Sequence, residues 1–190
     1  MKIALTGTPG TGKTTIASIL EKNYSVKNIH LHQFAQNENL VEGYDKKRRS
    51  DIIDIDALNK RFIEKTKDEP LVLIDGHLSH FLISVDMVIV LRCHPSILRT
   101  RLQEKQWSKE KINENLEAEI LDVIESESVD IHTIDHVIEI ETSHKTPSEL
   151  AETIYTLLTS DFQEKHEYTP GQIDWTAILM SDDFSLEDTG

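Results

Sequence analysis

KIALTGTPGTGKTTIASIL, residues Lys2 to Leu20, decides the fold: a short apolar strand runs into a glycine-rich turn and then into a helix. Within it Gly7, Gly12, Lys13 and Thr14 spell G-x-x-x-x-G-K-[ST], with Gly10 as a further glycine in the turn. Ile3 to Leu5 read as a buried strand and Thr15 to Leu20 as a helix start, which is the context this motif requires. Glycines let the backbone wrap a polyphosphate with its N–H groups turned inward, and the following helix adds the positive end of its dipole. Lys13 then serves as a point charge for the β and γ phosphates of ATP, Thr14 as a Mg²⁺ ligand, and Thr15 as the group at the α-phosphate end.

The chain has 190 residues, enough for one domain with an ordinary core. No apolar run exceeds a strand in length and the first residues carry no leader pattern, so neither a membrane span nor a signal peptide is expected. A single cysteine, Cys93, fits a reducing cytoplasm and strand-end packing. The net charge of −14 argues against broad nucleic-acid binding. The stretch 161–190 holds eight acids against Lys165 as its one Lys or Arg, and 167–190 carries Pro170 and Gly171, so 161–190 is expected to be a flexible acidic tail.

Four further apolar runs mark strands: Val26 to Leu31, Leu71 to Ile74, Met87 to Leu91 and His136 to Ile140. Helical spacing appears between them, in 53–65, after Pro95, in 116–124 and after the Thr146 capping box. Five alternations of strand and helix predict an α/β fold: a five-stranded parallel sheet with helices on both faces, of the P-loop NTPase class. Two polar stretches interrupt it, one after the second strand and one after the helix of the fourth, which is the nucleoside monophosphate kinase layout. The first of these polar stretches runs from His32 to Asp56 and the second from Glu104 to Asn115; in that layout one serves the acceptor and the other closes as a lid, with 161–190 as the tail. The cluster Lys46, Lys47, Arg48 and Arg49 is either a solvated turn or a clamp for a phosphorylated acceptor.

Asp75 ends the strand Leu71 to Ile74, on the side where ligands lie in open α/β sheets, and is expected to hold the magnesium. His77, two residues on, would stand near the γ-phosphate and orient an attacking water, or be an ordinary surface histidine. Arg92 and Arg101, with Lys105, are expected to neutralise charge on the transferring phosphoryl group.

GTPGTGKTT, Asp75-x-His77, LVEGYD at Leu40 to Asp45, VLR at Val90 to Arg92, and RLxxxxW-S-x-x-K-I-x-E-N from Arg101 to Asn115 together resemble the adenylate kinase isoenzyme six family. The resemblance covers about residues 1 to 160, the kinase domain, and implies an acceptor insertion at 30–53 and a lid at 104–114. It implies an adenylate kinase fold with adenylate kinase and ATPase activities, MgATP as donor and AMP or another nucleoside monophosphate as acceptor. It also implies a part in small-ribosomal-subunit assembly and rRNA maturation, through a ribosomal protein of the uS11 (S14) type. The ATP site carried over is Gly10, Gly12, Lys13, Thr14 and Thr15, with Lys105 where the family's lid commonly has arginine and Gln36 where its acceptor region has one. Lysine lacks the forked contact of arginine, which weakens lid closure; Arg48 or Arg49 would have to stand in for the arginine absent at Gln36. A nucleotide-driven switch acting on a ribosomal partner, and a kinase of another small metabolite, are the competing readings. A GTPase lacks its N-K-x-D and a transporter ATPase its L-S-G-G-Q.

Overall fold

The structure is a computed structural model and describes residues 1–46 and 50–180. Five parallel strands form the central sheet: β1 (Lys2–Thr6), β2 (Asn28–His30), β5 (Val72–Asp75), β6 (Met87–Arg92) and β7 (Val137–Glu141), in the order β2-β5-β1-β6-β7. Along β1 the side chains alternate. Ile3 and Leu5 face a layer made by α1 (Lys13–Tyr24) and α7 (Pro147–Thr159), where Ile16, Leu20, Leu150 and Ile154 are buried. Ala4 faces the other way, with Val88, Val90 and Val137, toward Ile124 and Val129 of α6 (Val123–His132). Beside it, Val72 and Ile74 pack on α2 (Leu31–Asn37) and on Leu58 and Phe62 of α3 (Ile55–Thr66). A sheet buried on both faces explains why its strands read as continuous apolar runs. Helices on both faces of a five-stranded parallel sheet agree with the sequence pattern.

The region after the second strand is more ordered than its polar composition suggests. Besides α2 it holds an antiparallel hairpin, β3 (Val41–Asp45) and β4 (Ser50–Ile53), paired Tyr44 to Asp51 and Asp45 to Ser50. Neither strand is fully buried, so the alternation of a core strand is missing. Lys47, Arg48 and Arg49 lie outside the described residues. The stretch 104–114, expected as a lid, takes in the end of α4 (Pro95–Glu104), the turn 105–108 and the first half of α5 (Lys109–Ile120). The helix expected over 116–124 breaks at Asp122, whose φ of 53° is left-handed, and α6 restarts at Val123.

The described part of 161–190, expected as a tail, makes contacts with the rest of the domain. Phe162 is buried in the main core, and Tyr168 packs against it. The backbone amides of Gln172 and Ile173 donate to Glu139 Oε1 at 2.6 and 2.9 Å, and Trp175 meets His94 edge to face. Composition hid this because a few apolar anchors suffice to seat an acidic segment. Residues 181–190 lie outside the described ones. Among the described residues no helix is long and apolar enough to cross a membrane.

Candidate active site

The carboxyl ends of β1 and β5 open into a cavity of about 740 Å³. Its floor is the glycine turn, in which Gly7, Gly10 and Gly12 all have positive φ, at 132°, 100° and 106°. At Gly10 the space is closed as well: a Cβ there would come within 2.8 Å of Leu98 and 3.0 Å of Leu102 on α4. Gly10, Gly12, Lys13, Thr14 and Thr15 line this floor together.

Lys13 Nζ donates to the carbonyls of Gly7 and Thr8 at 2.6 and 3.0 Å. Burial pushes its pKa down to about 8, against the opposing pull of Glu119 and Asp75. Thr14 Oγ1 donates to Asp75 Oδ2 at 3.1 Å. Asp75 is held from the neighbouring strand as well, its Oδ1 accepting from Asn28 Nδ2 at 3.0 Å and lying 2.5 Å from His30 Nδ1. A hydroxyl and a carboxylate side by side are hard oxygen donors suited to Mg²⁺. The residues present therefore fit the ion, which Thr14 and Asp75 would hold.

One side of the cavity is walled by His30, His32, Gln33, Gly76 and His77. His77 stands in the cavity wall with its side chain still exposed to solvent; partial desolvation there, and then the Lys13 ammonium, lower its pKa from the ordinary imidazole value and favour the neutral ring. His80, three residues on, points away: it is buried, meets Thr6 Oγ1 at 3.1 Å and Glu127 Oε2 at 3.1 Å, and takes no part in the cavity. The other side is walled by Arg101, Glu104, Lys105, Thr142 and Lys145. Arg101 is steadied by the Thr142 carbonyl at 2.9 Å. Gln36 is tied up at 3.2 Å to Asp51 and at 3.0 Å to His32.

The AAA domain family model matches residues 3–122. A protein of Pyrococcus abyssi named "Putative adenylate kinase" is 42% identical over 179 residues, covering 94% of this chain and 93% of that one. Its namesake in Methanosarcina acetivorans is 39% identical, covering 92% and 97%. The chain belongs to this archaeal-type adenylate kinase family. Among solved structures, shikimate kinase from Acinetobacter baumannii in complex with shikimate superposes with a TM-score of 0.59 at 19% identity, over 85% of this chain and 94% of that one, a likeness of fold.

Against this family frame one expected site residue is misplaced. Arg92 is 2% exposed and does not line the cavity. It sits behind the glycine turn in a cage of carboxylates: Glu119 at 3.0 Å, Glu125 at 2.5 Å, Glu139 at 3.3 Å, and Asp122. A strand-end arginine turned away from the ligand is recruited by acids on the opposite side, so its role is structural. Burial, then repulsion from Glu139, pushes Glu125 up to about 7. A folded-state value above the ordinary carboxylate range means the folded protein binds the extra proton, so the contribution of Glu125 to stability falls as pH rises from about 4.5 to about 7. Glu125→Gln should therefore raise Tm at pH 8 by about 2–4 °C, roughly 1 kcal/mol, and by less at pH 5. Differential scanning fluorimetry at the two pH values checks this.

Several site contacts lie outside the sequence expectation. Asn28 and His30 reach Asp75 because β2 pairs with β5 in register, His30 opposite Asp75. Only the strand order reveals that neighbour. Thr142 and Lys145 come from the turn after β7, far along the chain from the glycine motif.

Proposed function

We propose that this chain is an adenylate kinase that passes the γ-phosphoryl group of MgATP to AMP. The observation that carries the reading is the pair Thr14 and Asp75, 3.1 Å apart beside Lys13 on the floor of a cavity with two walls. The names of its relatives point the same way. The triphosphate lies along the glycine turn toward Arg101, Lys105 and Lys145, and the acceptor enters on the side of His30, His32 and Gln33. An ionised phosphate oxygen of AMP forms the new bond to phosphorus while the bond to the ADP oxygen breaks, so no general base is needed. Lys13, Arg101 and Lys105 stabilise the charge carried by the transferring group. Mg²⁺, when bound, neutralises charge on the phosphates.

A second reading, hydrolysis of ATP as the timer of a switch on a ribosomal partner, is favoured by His77. Water, unlike AMP, needs orienting, and a neutral imidazole beside the phosphate floor can accept its hydrogen bond. A coupled assay of ATP consumption against a panel of nucleoside monophosphates and against none, with and without the uS11-type ribosomal protein, separates the two. AMP should give the fastest turnover. His77→Ala should lower AMP-independent hydrolysis about tenfold to a hundredfold and leave AMP phosphorylation within about threefold. Equal loss of both would make His77 a packing residue, and no acceleration by any monophosphate would overturn the kinase reading.

A further inference from the structure

Thr8 occupies one of the variable positions of the glycine motif, and its side chain reaches no part of the cavity. It is nevertheless the hub of the turn. Its carbonyl accepts from Lys13 Nζ at 3.0 Å and from the Thr11 amide at 3.2 Å, and the residue is 2% exposed. Its hydroxyl donates to Glu119 Oε2 at 2.5 Å. Glu119 lies in the last turn of α5, 111 positions along the chain, and is itself 2% exposed.

The second oxygen of Glu119 is fully used as well. Oε1 accepts from Arg92 Nε at 3.0 Å and from the Cys93 amide at 2.9 Å, and the Glu119 backbone carbonyl accepts from Arg92 Nη2 at 3.0 Å. The carboxylate is thereby fixed to the end of β6 and offers Thr8 an acceptor that does not move. On the opposite flank, α4 grips the same turn: Leu98 and Leu102 leave no room for a Cβ at Gly10, and Arg101 Nη1 lies 3.4 Å from the Gly10 carbonyl. The two helices that frame the lid turn therefore hold the phosphate loop from both sides.

We propose that Glu119 is a positioning residue for the nucleotide site: from the helix that carries the lid, it sets the shape of the phosphate loop through Thr8. A hydrogen bond to a buried, fully anchored charge is among the stronger neutral-to-charged contacts, and it fixes the peptide whose carbonyl Lys13 uses. Releasing it leaves the loop free to adopt shapes whose N–H groups no longer converge, which costs nucleotide affinity. The proposal rests on the reading that this loop binds MgATP.

The test is MgATP affinity by calorimetry and the separate KM values for ATP and AMP, on the full chain, for Thr8→Val, Thr8→Ser, Glu119→Gln and the Thr8→Val/Glu119→Gln double variant, with Tm in parallel. Thr8→Val removes only the hydroxyl and should weaken MgATP binding about tenfold; Thr8→Ser, which restores it, should stay within about twofold. The KM for ATP should rise with it and the KM for AMP should not. The double variant should bind no more weakly than the worse single one, because both changes break the same contact. Wild-type affinity in Thr8→Val, whatever its Tm, overturns the proposal, as do losses that multiply in the double variant. Should Glu119→Gln fail to fold, the valine and serine pair still decides. Absence of MgATP binding by the wild-type chain would instead overturn the nucleotide reading, and the proposal with it.

Discussion

Lys13→Met should lower ADP formation from ATP and AMP by on the order of 10²–10³-fold, the loss seen when one preorganised charge donor leaves a transition state. Methionine keeps the unbranched stem and the apolar packing, so what is removed is the ammonium. That ammonium donates to the Gly7 and Thr8 carbonyls at 2.6 and 3.0 Å, which hold it on the cavity floor. Burial has already lowered its pKa to about 8, so an incoming polyphosphate meets a weakly solvated cation whose pairing costs little further desolvation. Tm should change little, because the Thr8 carbonyl keeps its bond from the Thr11 amide and the loop keeps its glycine geometry. The measurement is a coupled assay at saturating MgATP beside a melting curve. Retention of most of the activity would remove Lys13 from the mechanism, and a collapse of Tm would make the loss one of folding.

What the sequence made legible was local. The glycine motif, the strand before it and the helix after it are contiguous, and the buried strands announce themselves as apolar runs, so the sheet and the placing of Lys13, Thr14 and Asp75 on one floor follow from short-range pattern. Contacts that depend on which elements become neighbours were out of reach. His30 meets Asp75 across a strand pair, and Glu119 meets Thr8 across most of the kinase domain; neither spacing carries a signal. The hairpin β3–β4 escaped because neither strand is fully buried. Arg92 was misplaced for an instructive reason. A cation at the end of a strand beside a phosphate loop has two customers, the phosphates ahead and acids behind. Glu119, Asp122 and Glu125 follow at three-residue spacing, and with Glu139 on the next strand they could have been seen as a cage.

That cage gives the second large effect. Arg92→Met should destabilise the protein by about 3–5 kcal/mol, because removing one partner of a buried ionic cluster leaves the others without compensation. At this chain length that is a fall in Tm of roughly 6–20 °C. Arg92 is the cation on which Glu119, Asp122, Glu125 and Glu139 all converge, and without it the four carboxylates face one another in a poorly solvated space. Relief can come only from protonation. Burial already raises the pKa of Asp122, Glu125 and Glu139, and loss of the arginine removes the attraction that opposes the rise. The folded variant would then hold more protons than the unfolded chain over a wider range, so the loss should be greatest above pH 7 and shrink toward pH 5, where the carboxylates are shared out as neutral acids. Adding Glu125→Gln to Arg92→Met should recover part of the Tm at pH 8, since it removes one of the repelling charges and keeps the shape. Melting curves of the single and double variants at pH 5 and pH 8 decide the matter. A variant that melted like the wild type at both pH values yet had lost phosphoryl transfer would return Arg92 to the active site, since a residue that binds only phosphates has no reason to hold the fold together.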